Sequence, residues 1–220
     1  MPGRALLERR PWLLGSLASA LAYYLLADAE IGGLYLIGLK GAAAGLLAIY
    51  ALLRHAGTDT RLLAGSLAMA AAGDIALELY PAYALLLFFG AHLFALNLYL
   101  RHPRRAPSGN QKLAAVAILI LLPLIVALAM LGQPGFASAS IYALSLSGMA
   151  AAAWMSRFPR YRVGTGALLI AAGHVLLVAG FAHPWGALAA SWLSWPLYYI
   201  GQFLVVTGVI QSLRWPGRPR

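Results

Sequence analysis

The chain reads as an all-α, polytopic transmembrane bundle of eight helices. Three observations predict it. Of 220 residues, 62% are hydrophobic and only 10% are charged, and the mean hydropathy is +0.78. A soluble domain carries about 25% charged residues, so this chain has too little polar surface to coat a globule in water. Its apolar runs approach the roughly 20 residues that a bilayer-crossing helix needs, and eight of them with short loops use up the chain. Finally, every Lys and Arg except Lys40 falls at the same end of its neighbouring run.

The runs place helices at about 12–27, 31–53, 61–79, 82–101, 112–132, 136–156, 164–181 and 190–212. Trp12 to Ala27 has the look of a signal peptide. Asp28 and Glu30 follow with no clear small-residue cleavage site, so the segment is expected to be retained as the first helix. Tyr80-Pro81 divides the third helix from the fourth, and Gly132-Gln133-Pro134-Gly135 divides the fifth from the sixth. Proline fixes φ and glycine permits positive φ, so both are turn signals. Irregular backbone cannot face lipid, which puts these turns at the membrane surfaces. Residues 1–220 are expected to form a single integral membrane domain.

Arg4, Arg9, Arg10, Arg54, Arg61, Arg101, Arg104, Arg105, Lys112, Arg157, Arg160, Arg162, Arg214, Arg218 and Arg220 all fall on one side of this scheme, and Asp28 and Glu30 on the other. Basic loops stay inside, so both termini are expected in the cytoplasm, of the cell inner membrane if the source is bacterial. Trp12, Trp154 and Trp215 near inner ends, and Trp185, Trp192 and Trp195 near the outer end of the last helix, suit interfacial belts. The net charge of +10 does not point to nucleic acid, because it is spread over span ends rather than gathered on a soluble face. Without cysteine there are no disulfides, thiolate metal sites or cysteine nucleophiles.

An internal repeat is visible. Ala71-Ala72-Gly73-Asp74 in the third helix matches Ala171-Ala172-Gly173-His174 in the seventh, Leu39-Lys40-Gly41 echoes Leu146-Ser147-Gly148, and Phe88-Phe89 with His92 echoes Tyr198-Tyr199 with Gln202. Matched helices run in the same direction, so a parallel 4+4 duplication is expected. Chance similarity among Ala/Gly/Leu-rich helices is the alternative.

Polar residues inside the spans mark the candidate site: Lys40, Asp74, Glu78, His92, His174 and Gln202. A charge at bilayer centre costs about 2.5–3.5 kcal/mol even on the gentle insertion scale, so such residues face the bundle interior and pair. Asp74 and Glu78, one turn apart, share a helix face. Counting about 1.5 Å per residue puts Asp74 roughly 8 Å below the outer end of its helix, and Lys40, His92, His174 and Gln202 at about 10–16 Å. One shared cavity would satisfy all of them. Plainer readings stay open: Lys40 as an ion pair with Asp74, Glu78 as an interfacial carboxylate, His92 and Gln202 as hydrogen-bonded packing residues, Asn97 as interhelical glue, and Gly73 and Gly173 as close-packing positions. His55, His102 and His183 read as loop residues. No nucleophile elbow, zinc-protease motif or phosphate loop is present, and no ligand spacing favours a metal.

At these positions the chain resembles the YhhN-type lysoplasmalogenase family of multi-helix membrane hydrolases. The likeness rests on Lys40 (followed here by Gly41 where the family usually has proline), Gly73-Asp74 with Leu77, Phe89-Gly90-Ala91-His92 with Tyr99 further on, Tyr142 with Met149, and Tyr198-Tyr199 with Gln202. It spans about residues 30–212. The family's second acidic motif is a Ser-Asp pair in the seventh helix, where this chain has Gly173-His174, so of the two family aspartates only Asp74 carries over. The resemblance implies hydrolysis of the vinyl ether bond of lysoplasmalogens, giving a fatty aldehyde and a glycerophospho-alcohol, without a cofactor. Asp74 would be the acid or stabilise an oxocarbenium ion, and His174, titrating near neutral pH, would stand in as base. Lys40, Glu78, His92, Tyr142, Tyr198, Tyr199 and Gln202 would hold a lysophospholipid or similar amphipathic molecule. A non-catalytic transporter or binder of lipids or small molecules is the other expectation, since repeated halves with polar residues at depth suit transport as well.

Overall fold

A computed structural model describes residues 10–27 and 33–214. Arg4, Arg9, Asp28, Glu30, Trp215, Arg218 and Arg220 lie outside the described residues, as does the side chain of Trp185. The structure is helical: α1 (Arg10–Leu26), α2 (Leu34–Arg54), α3 (Thr58–Leu79), α4 (Pro81–Leu100), α5 (Gly109–Ala129), α6 (Phe136–Met155), α7 (Thr165–Ala182), α8 (Pro184–Ala189) and α9 (Trp195–Arg214). Among the described residues there is no strand. Seven helical segments are long and apolar enough to cross a bilayer, and α1 is a shorter apolar helix of 17 residues. Large side chains such as Leu86, Leu113, Leu128 and Leu144 point outward, as a lipid solvent requires.

The expected turns are present. α3 ends at Leu79, two residues before Pro81, which opens α4, and Gly132 and Gly135 take φ of +74° and +84° between α5 and α6. The region before the last helix differs from expectation. Residues 182–189 read as a loop, yet they hold α8, started by Pro184 at its first turn where its fixed φ suits a helix. Five-residue π-helical turns, Arg160–Gly164 and Ala190–Ser194, lead into α7 and α9. Such wide turns re-aim side chains and recur at functional sites.

The described chain falls into two compact units, one running to Phe94 and the other from Ala95 to Ser212. In the first, Ser16 Oγ donates to the Ala43 carbonyl at 2.6 Å and ties α1 to α2, and Ser66 Oγ donates to Ala91 at 2.9 Å and ties α3 to α4. Gly41 sets α2 close to α3: a Cβ there would lie 2.6 Å from the Ile75 side chain. In the second, Val126, Met130, Ala139, Ala143 and Val178 form a core of α5, α6 and α7. The α7–α9 contact is set by glycine. A Cβ on Gly201 would lie 2.5 Å from the Gly166 carbonyl, and one on Gly166 2.8 Å from the Gly201 carbonyl. Without a large hydrophobic driving force between helices in lipid, such close backbone approach supplies the packing. Because the obstruction is backbone, Gly201→Ala is expected to lose about 1–3 kcal/mol, the usual cost of overpacking, seen as a lower Tm of the detergent-solubilised protein. An unchanged Tm contradicts this packing.

Candidate functional site

In the first unit the intramembrane charges lie on α2 and α3, beside Tyr23 of α1. Lys40 on α2 is buried, and its Nζ lies 2.6 Å from Glu78 Oε1 on α3. Tyr23 on α1 donates from its hydroxyl to the same oxygen at 2.9 Å, and its ring lies 5.0 Å from Lys40 Nζ. Glu78, exposed near the end of α3, is also the centre of a Tyr23–Glu78–Lys40 cluster. Asp74, one turn deeper on the same helix, is only 2% exposed. One ion-pair contact of Lys40 is thus with the shallower carboxylate. Gly73 makes room beside Asp74: a Cβ there would meet the Phe88 ring of α4 at 2.8 Å. His92, also on α4, is buried.

In the second unit His174 on α7 is buried, and its Nδ1 lies 2.8 Å from the Tyr142 hydroxyl of α6. Its ring stacks on Tyr198 of α9, with centroids 5.1 Å apart and planes at 30°. Trp195 packs on Tyr198 at 5.7 Å and stacks on Tyr199 at 6.2 Å. Gln202, one helical turn past Tyr198, is buried on α9. The backbone is fixed alongside. Ser194, at the end of the second π-turn, donates from Oγ to the Gly173 carbonyl at 2.8 Å, and a Cβ on Gly173 would lie 2.7 Å from the Ser194 carbonyl. Only glycine lets α9 approach here, which seats Tyr198 against the imidazole.

Gly73 and Gly173 are thus close-packing positions, as expected. Each admits the first aromatic of a pair, Phe88 of Phe88-Phe89 and Tyr198 of Tyr198-Tyr199. The 4+4 duplication is a proposal that this matching contact supports. Asn97 departs from expectation: it is exposed on α4 rather than joining helices, because the buried face of that turn is taken by Leu98 and Tyr99. His55 bonds Thr60 at the head of α3, and His183 Nε2 donates to the Ala129 carbonyl, so both serve chain connections. Tyr23 joins the Lys40–Glu78 cluster and Ser194 fixes the backbone beside His174, although their sequence neighbourhoods do not single them out. Among the described residues, no group of three or more His, Asp or Glu is placed to hold a metal ion.

No curated protein and no solved structure matches the chain. The sequence does match the YhhN family over residues 35–209, a stretch that holds Lys40, Asp74, Glu78, His92, Tyr142, His174, Tyr198, Tyr199 and Gln202. With that match over most of its length and seven helices fit to cross a bilayer, the chain is a multi-pass membrane protein that belongs to the YhhN family.

Proposed function

We propose that the protein is a membrane hydrolase that cleaves the vinyl ether bond of lysoplasmalogen-type lipids. The observation that carries this reading is the burial of Asp74, an acidic group inside an apolar helix bundle, at the family's glycine–aspartate position. A vinyl ether is cleaved when a proton adds to its β-carbon. The resulting oxocarbenium ion takes up water at the carbon bearing oxygen, and the hemiacetal expels the glycerophospho-alcohol as the fatty aldehyde forms. One water is consumed per bond broken. Asp74 supplies the proton, and its carboxylate then stabilises the cation.

His174 takes the proton from the attacking water. It does so through Nε2, which requires Nδ1 to carry hydrogen and donate to the Tyr142 oxygen. The 2.8 Å contact suits that tautomer. The stacked Tyr198 ring supports the imidazolium formed. Tyr142→Phe removes the acceptor for Nδ1–H and is expected to lower kcat roughly 10-fold, part of the 10²–10⁴ that general base catalysis contributes. A kcat unchanged within twofold removes Tyr142 from this role. Lys40, held by Glu78 and Tyr23, is a cation for the phosphate of the substrate, and the apolar helices take the alkenyl chain.

The direct test is aldehyde release from lysoplasmalogen by the purified protein, with none from the matching lysophospholipid that lacks a vinyl ether. Lipid binding without aldehyde points to a binder or transporter instead. Cytoplasmic termini belong to the same proposal, supported by the one-sided Lys/Arg distribution. Reporter fusions after Arg220 and near Gly135 are expected to give opposite signals. Identical signals rule out the eight-span scheme.

A further inference from the structure

Residues 95–212 hold Arg101, Arg104, Arg105, Lys112, Arg157, Arg160 and Arg162 but no Asp or Glu, and the whole chain carries a net charge of +10. The excess positive charge must be balanced by anions from outside the protein. The charge is also held in fixed geometry. The α4–α5 and α6–α7 loops are joined by an antiparallel bridge between Pro103 and Ser156. Arg157 N donates to the His102 carbonyl at 2.8 Å and Arg104 N to the Met155 carbonyl at 3.1 Å. The Arg104 guanidinium spans the join, donating to the carbonyls of Ser156 at 2.9 Å and Phe158 at 3.2 Å. Beneath it, buried Phe158 meets Tyr99 and His102 edge to face. Arg162 is braced by Gln211 at 2.6 Å. A positive-inside signal needs only charge; it does not need two loops stitched into one surface.

We infer that this stitched platform is a binding site for the phosphate of anionic phospholipids in the leaflet it faces. Arg101, Arg105, Arg157 and Arg162 are exposed on it. It lies where α4 and α6 end and where the π-turn into α7 begins, which is headgroup level for helices that cross the bilayer. Guanidinium groups bind phosphate oxygens in pairs, and Tyr161, 88% exposed between Arg160 and Arg162, is an aromatic suited to the interface. Zwitterionic lipid has no net charge to offer the platform, so the site selects acidic headgroups.

The test uses the full-length protein in vesicles of phosphatidylcholine, with or without phosphatidylglycerol, followed by native mass spectrometry of retained lipid. The wild type is expected to keep phosphatidylglycerol over phosphatidylcholine. The attraction of one basic residue to an anionic surface is about fivefold in affinity. Replacing Arg101, Arg105, Arg157 and Arg162 together by Gln is therefore expected to abolish the preference. Should that variant fail to insert, Arg104→Lys keeps every charge but loosens the join, and is expected to lower the preference several-fold. No preference in the wild type overturns the inference, and so does an undiminished preference in the quadruple variant. Wild-type selectivity in Arg104→Lys overturns it too, by showing that charge alone suffices. Aldehyde release plays no part in the readout.

Discussion

Asp74→Asn is expected to abolish aldehyde release from lysoplasmalogen, a loss of about 10²–10⁴-fold if the residue is the general acid. Asparagine keeps the size and much of the hydrogen bonding of aspartate but has no proton to give to carbon. The substitution is gentle on the fold, because it replaces an acidic group that is 2% exposed by a neutral one of the same shape. Lys40 retains Glu78 at 2.6 Å, so no ammonium is stranded in the bundle. The protein should therefore extract, migrate and bind lysolipid like the wild type. This last point separates chemistry from folding. Measuring kcat and lipid binding on the same preparation decides the matter: activity retained within tenfold removes Asp74 as the acid. Loss of lipid binding together with activity makes Asp74 a structural or binding residue.

Much of this site was legible in the sequence, for a physical reason. Lipid offers no partner for a charge, so Asp74, Lys40 and His174 stand out against an apolar background and announce that they are buried. Glycine next to such a residue reads as close packing, and Gly73 against Phe88 and Gly173 against Ser194 and Tyr198 bear that out. The turns at Pro81 and at Gly132 and Gly135 were equally plain, because proline and glycine restrict the backbone locally. What the sequence hid was partner choice. Tyr23 and Glu78 are 55 residues apart, and Lys40 and Glu78 are 38 apart. Nothing local says that Glu78 takes the ammonium; that contact is made by the packing of α2 on α3, which Gly41 keeps tight against Ile75. The π-turn that presents Ser194 was hidden for a similar reason, since an apolar run has the same composition with or without one extra residue in a turn. Asn97 misled because side-chain type says a partner is wanted, not which face of α4 is buried.

At His174 the resemblance to the YhhN family leads one to expect an aspartate, and exchanging the histidine for one gives the second large effect. Three variants bracket the role. His174→Ala removes any base and leaves space beside Tyr142 and Tyr198, so aldehyde release is expected to fall about 10²–10⁴-fold. His174→Asp restores a carboxylate at the family position and is expected to recover much of that loss. The recovery is expected because a carboxylate, like a neutral imidazole, can accept the proton of the attacking water. His174→Gln keeps a polar side chain that can hydrogen-bond the Tyr142 hydroxyl but accepts no proton; it is expected to fold well and to be as slow as the alanine variant. The kcat values of wild type and the three variants are the deciding measurement. An aspartate variant no faster than the glutamine variant shows that a proton acceptor at this position does not limit the reaction, and His174 is then a packing residue held between two tyrosines. Activity in the alanine variant equal to wild type likewise makes His174 a packing residue. Activity recovered in His174→Asp, with both neutral variants slow, identifies the imidazole as the base of this protein.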